Sequence, residues 1–199
     1  SEKTRRLTGL ARMTAIVVVL QLVASALVRV GVFAPTLTLA PILIGAAIYG
    51  PKAGAYLGGV FGVVVTITCI IGWDAGGNAL WNANPFLTAL ICIVKGVAAG
   101  LAAGLVYRAV VGDSLAHGRM IAGSVAAGIV SPVVNTGIFL LGLFFLFPSF
   151  LEAWATSAGQ TVLTYIIFTM VSINFALELV INLVLSTVIV RVIGARMLR

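Results

Sequence analysis

Several polar side chains stand inside long apolar runs, where burying them demands a reason. Lys95 lies about eleven residues into a run over about 85–110. Glu178 lies near the middle of a run over about 160–195, and Asn174 and Asn182 flank it at four-residue spacing. That spacing puts all three on one helix face. Asn135 sits mid-run in the stretch SPVVNTG. A charge at the centre of a hydrocarbon layer costs about 2.5–3.5 kcal/mol on insertion scales. Two arrangements offset that cost. Lys95 and Glu178 can pair while the asparagines bond across helices, which holds a bundle together without a ligand. Alternatively, the same groups line a cavity open to the outside. Lys95 then meets a carboxylate or other anion, and Asn135 and Asn174 exchange hydrogen bonds with it. The two arrangements are compatible.

A second polar cluster reads GWDAGGNALWNAN over residues 72–84. Trp73, Asp74, Asn78, Trp81, Asn82 and Asn84 crowd this irregular connection, with Gly76-Gly77 between them as a hinge. Tryptophans near a membrane surface ordinarily anchor it. A lid over a pocket uses the same parts: aromatic faces to cover a ligand, amides to bond it and glycines to move.

Other chemistries are missing. No glycine-rich phosphate loop of the nucleotide-hydrolysing type is present, nor an HExxH pair. The single histidine, His117, lies in a short polar loop, and Cys69 and Cys92 read as small core residues, so neither metal nor cofactor is expected. Ser131 has no histidine at its depth for nucleophilic catalysis, and Glu178 is the one clearly embedded carboxylate. An enzyme is not expected. The net charge of +7 does not point to nucleic acid, because the basic residues sit at the ends of apolar runs.

The elements that must position these groups follow from composition. The 199 residues are 61% hydrophobic and 9% charged, against about 25% charged in a soluble domain. Lipid is therefore the solvent for most of the chain, which is expected to form a single transmembrane domain over 1–199. Six apolar runs, at about 10–31, 37–50, 53–72, 85–110, 119–147 and 160–195, predict an all-α bundle of six transmembrane helices. The second is short for a crossing, and residues 149–159 predict an interfacial loop or short helix. With six alternating spans, ten basic residues fall on the side of the termini against Arg29 alone on the other. That bias predicts both termini in the cytoplasm, and the first run is expected to be a retained helix.

Small residues mark contact faces. Gly54, Gly58 and Gly62 recur every four residues, as do Gly96, Gly100 and Gly104. Each stripe lets a second backbone approach closely, either inside the bundle or as a sliding surface against a partner subunit. Ala11 and Ala15 form a third such pair near the start of the first run.

Four stretches, in order along nearly the whole chain, resemble the S components of energy-coupling-factor vitamin transporters. They are the Ala11/Ala15 pair, similar to that family's AxxxA motif; PILIGAAIYGPKAGAYLGGVFG at 41–62; KGVAAGLAAGLVY at 95–107; and PVVNTGIF at 132–139 followed by NFALELVIN at 174–182. The resemblance implies a six-helix, prokaryotic plasma-membrane subunit that binds a vitamin or precursor near the outer face. It also implies partners: a transmembrane coupling subunit, met through Ala11 and Ala15, and two cytoplasmic ATPases. The VNT stretch and the GPKAGAYLGGVFG junction look most like the pantothenate-type branch. Related branches take folate, riboflavin, biotin, pyridoxine-like compounds or a queuosine precursor, and several of these ligands also suit a lysine. A self-sufficient small-solute transporter is the alternative from a different class.

Overall fold

In the computed structural model, residues 2–27, 38–112, 116–171, 175–176, 178–181 and 183–184 are described. The helices are α1 (Glu2–Leu27), α2 (Leu39–Tyr49), α3 (Pro51–Ile70), α4 (Ala75–Ala83), α5 (Pro85–Val111), α6 (His117–Leu146), α7 (Pro148–Ser157) and α8 (Val162–Thr164). A π-helical segment, Tyr165–Val171, continues from α8.

The breaks have local causes. Pro51, Pro85 and Pro148 each open a helix, where a residue lacking an N–H loses nothing and its fixed φ already suits the helix. Gly50, between α2 and α3, has φ +92°, a backbone region closed to most side chains. The Asn84 side chain accepts from the Leu87 N–H at 3.1 Å and so caps α5.

Among the described residues, four helices are long and apolar enough to cross a membrane: α1 over Lys3–Ala26, α3, α5 and α6. The chain is thus an all-α, multi-pass membrane protein. The short second run is an 11-residue helix, about 16 Å long against a hydrocarbon core of about 30 Å. The sixth run is not one continuous described helix. It comprises α8, the π-helical segment and described residues between 175 and 184. Two expectations change in detail, and an open alternative is decided. The first helix starts at Glu2, taking in the basic stretch ahead of the apolar run. The 72–84 connection is not irregular, because Ala75–Ala83 is helical. Residues 148–157 take the short-helix option, as α7.

The two glycine stripes meet each other. A Cβ added at Gly54 would fall on the Gly100 carbonyl, and one at Gly58 on the Gly96 carbonyl; the reverse substitutions collide in the same way. At Gly62 a Cβ would meet Cys92 and Ile93 backbone atoms. Partner numbers fall as stripe numbers rise, so α3 and α5 run antiparallel with backbones in direct contact. The stripes form an internal seam and not an exposed sliding surface: Gly54, Gly58, Gly62, Gly96, Gly100 and Gly104 are all buried. Around it pack Val17, Leu39, Ile42, Leu57 and Phe61, each with no exposed surface. Helix α6 lies along the other side of α5, where a Cβ at Gly142 would press on Ile91 and one at Gly123 on Val111.

Gly58→Ala is expected to destabilise the fold. Overpacking a tight contact costs about 1–3 kcal/mol, more than the roughly 1 kcal/mol regained in helix propensity. Gly118→Ala, which meets nothing within 4 Å, is expected not to destabilise it. Thermal unfolding of both variants in detergent checks the contrast.

Candidate functional site

The chemistry-bearing residues converge at one end of the bundle, away from Lys52, Arg108 and Arg119. A cavity opens there between α1, α3, α4, α5, α6 and the π-helical segment, with about 800 Å³ of atom-free space counted out to its open side. Lys95, Asn135, Glu178 and Asp74 all line it. The helices explain the meeting. Lys95 lies ten residues beyond Pro85 and Asn135 eleven before Leu146, each about 16 Å from its helix end. Because α5 and α6 run antiparallel, equal distances from those ends bring the two residues to the same depth.

Each group has a distinct setting. Lys95 is 9% exposed, and its Nζ lies 4.7 Å from the Phe139 ring centroid and 5.9 Å from that of Phe61. Ring faces attract a cation with about 0.5–2 kcal/mol, which holds the ammonium at the cavity wall. Asn135 is 3% exposed, and its Oδ1 has no hydrogen-bond partner among the described residues. A buried acceptor left unsatisfied costs about 1–3 kcal/mol. Glu178 is buried beside the same space. Asp74 caps α4, its Oδ1 accepting from the Gly77 N–H at 2.8 Å.

The other expected site residues stand apart from the cavity wall. Asn78 Nδ2 donates to the Cys69 carbonyl at 2.8 Å, and Asn82 Nδ2 donates to Asn78 Oδ1 at 3.2 Å. Both therefore brace α4. Trp81 packs on the central core, whereas Trp73 is exposed. Gly76 and Gly77 lie inside α4 and are buried. A Cβ at Gly77 would fall on Cys69 Sγ, so this glycine permits a close approach where the sequence suggests a hinge. Helix α4 covers the cavity through Gly77 and Leu80. Asn174 lies outside the described residues.

Further lining residues are Gln21, Thr88, Thr136, Phe139 and Met170, with Cys69 and Cys92 in the wall. Phe139 was within reach of sequence reasoning, being one helical turn beyond Asn135. Gln21 is a lone amide in an apolar run, and Ser25 one turn on is too small and common a residue to mark its role. Thr88 is disguised by its local bond to the Asn84 carbonyl at 2.9 Å.

The arrangement can hold a small molecule that is anionic at one point and rich in hydrogen-bonding groups elsewhere. Fold and cavity together define a polytopic membrane protein with an internal polar-lined cavity, and a comparison of sequences narrows the class. The chain is 31% identical over 191 residues, 91% of its length and 89% of the relative's, to the pantothenic acid transporter PanT of Lactococcus lactis subsp. cremoris (strain MG1363). It belongs to that transporter family and is not an enzyme. No family model and no solved structure matches it.

Asn135→Leu is expected to raise the thermal stability of the empty protein. It replaces an unsatisfied buried amide with an apolar side chain of similar size, relieving about 1–3 kcal/mol. A lowered midpoint in ligand-free unfolding scans counts against the unsatisfied acceptor.

Proposed function

We propose that this chain is the substrate-capturing S component of an energy-coupling-factor importer and that its cargo is pantothenate. The observation that carries the reading is the Lys95 ammonium, held between two aromatic rings at the wall of a polar-lined cavity, in a relative of a pantothenic acid transporter. Pantothenate has a carboxylate at one end, a central amide and hydroxyls at the other. The carboxylate pairs with Lys95. Asn135, Asn174 and Glu178 take the neutral polar groups. Helix α4 and its flanks, through Trp73, Asp74, Asn78, Trp81 and Asn82, form and brace the cover.

The chain then sits in a prokaryotic plasma membrane with six crossings and both termini in the cytoplasm, the cavity facing outward. A transmembrane coupling subunit and two cytoplasmic ATPases supply the energy. Ala11 and Ala15 are both exposed on α1, one turn apart on a face that leaves room for a partner helix.

Calorimetric titration of the purified chain with a vitamin panel tests the cargo. Stoichiometric binding of pantothenate is expected. Folate, riboflavin, biotin or another vitamin binding in its place would refute pantothenate while keeping the capture role. Lys95→Ala is expected to weaken binding about 10- to 150-fold, the loss of a hydrogen bond to a charged group. Unchanged affinity in the folded variant would assign the lysine to structure alone. Liposomes holding only this chain are expected to show no flux.

Ala11→Trp with Ala15→Trp is expected to abolish co-purification with the coupling subunit and leave pantothenate affinity within about twofold, a change below 0.5 kcal/mol. Joint loss of assembly and binding would place that face elsewhere.

A further inference from the structure

The first helix, which carries the small-residue pair near one end, also presents a polar side chain to the cavity. Gln21 on α1 is 3% exposed and lines the space that holds Lys95, Asn135 and Glu178. Its amide is fixed from two sides. Oε1 accepts from the Thr38 hydroxyl at 2.6 Å, and Nε2 donates to Ser25 Oγ at 3.1 Å. Thr38 and Ser25 have no exposed surface. Thr38 immediately precedes α2, so the bond also ties the two helices together.

A primary amide carries two N–H donors and an oxygen with two lone pairs. Thr38 and Ser25 use one donor and one lone pair, leaving one of each on a side chain whose surroundings include the cavity. A long, flexible amide buried only for packing would cost side-chain entropy and desolvation that leucine avoids. Held in one orientation by two buried hydroxyls, it is instead pre-organised to bond a ligand, because the cost of ordering it is met before binding. It carries no charge, so it suits a hydroxyl or amide and complements the ammonium at Lys95.

We infer that Gln21 is a ligand-binding residue that recognises a neutral hydroxyl or amide of the cargo, and that Thr38 is a positioning residue that orients it. The inference rests on the capture reading above but assigns a subsite on α1 that the sequence does not mark. It divides recognition between two walls: charge on α5, neutral polarity on α1.

The test is a titration of wild type, Gln21→Met and Thr38→Val with pantothenate and with analogues in which each hydroxyl is replaced in turn by hydrogen and, in one more, the amide by a pair of methylenes. Gln21→Met is expected to weaken pantothenate binding about 5- to 30-fold, the range of one or two neutral hydrogen bonds. Against one analogue, the variant and the wild type are expected to bind alike, because the lost partner is already absent. Thr38→Val, which cannot touch the ligand directly, is expected to lose about 3- to 10-fold with the same analogue dependence. Rescue of the pantothenate loss by Thr38→Ser, which restores the hydroxyl, separates positioning from packing. If Gln21→Met binds pantothenate as the wild type does, or loses equally against every analogue, the inference is overturned. A variant that fails to fold is replaced by Gln21→Glu, whose added charge is expected to repel the anion and weaken binding further; unchanged affinity there also overturns it. A wild-type chain that binds no member of the vitamin panel overturns the capture reading and this inference together, which distinguishes that failure from a failure of the variants alone.

Discussion

The backbone contact between α3 and α5 sets the geometry of everything beside it. Glycine at six positions lets the two backbones approach where a Cβ would collide. Carbonyl groups of one helix therefore rest against the glycine backbone of the other, and the helices have one register in which this works. In lipid, helices gain little from burying apolar surface against one another, so such close packing carries much of their association. The register places Gly58 against Gly96, and Lys95 next to Gly96 emerges near the Phe61 ring. A register shifted by one residue would set side chains against backbone and turn the lysine away from that ring.

The cavity is the complement of that seam. It lies beside α3 and α5, toward the end that α4 covers. Asp74 and Asn84 each satisfy the first turn of a helix with their side chains, so the connection between α3 and α5 forms a short rigid helix with no long loop. Asn78 then fastens that helix to the end of α3. The cover over the cavity is thus built from the same local capping chemistry that ends and starts the spans.

The site combines opposed demands. The Phe139 ring lies 4.7 Å from the Lys95 ammonium, and Asn135 keeps an acceptor unsatisfied among the described residues of the cavity wall. The unsatisfied acceptor costs stability in the empty protein. Such costs persist where binding uses them, and the glycine seam stabilises the surrounding bundle enough to carry them. The Gln21–Thr38–Ser25 network shows the opposite strategy, an amide whose first two bonds are already made.

The sequence by itself determined the solvent, the helical class and the depth of the charged groups. Those depend on composition and period, which are local properties of the chain. The runs containing Lys95 and Asn135 were legible as spans, and antiparallel connection alone put the two at equal depth. The glycine stripes were equally visible, but not which stripe met which, because a four-residue spacing fits an internal seam or an external surface. Only the tertiary structure decided that, by setting Gly54 against Gly100, Gly58 against Gly96, Gly62 against the Cys92–Ile93 backbone and Gly104 against Pro51. It also decided that Asn78 and Asn82 brace α4 while Asp74 reaches the cavity, and that Gly77 serves close packing. These assignments depend on which backbone atom lies across a gap of a few ångströms, and spacing along one helix carries no information about its neighbour. Gln21 is the plainest case: Ser25 lies one turn on along the same helix, but Thr38 belongs to the start of α2, so its role emerges only where α1, α2 and the cavity meet.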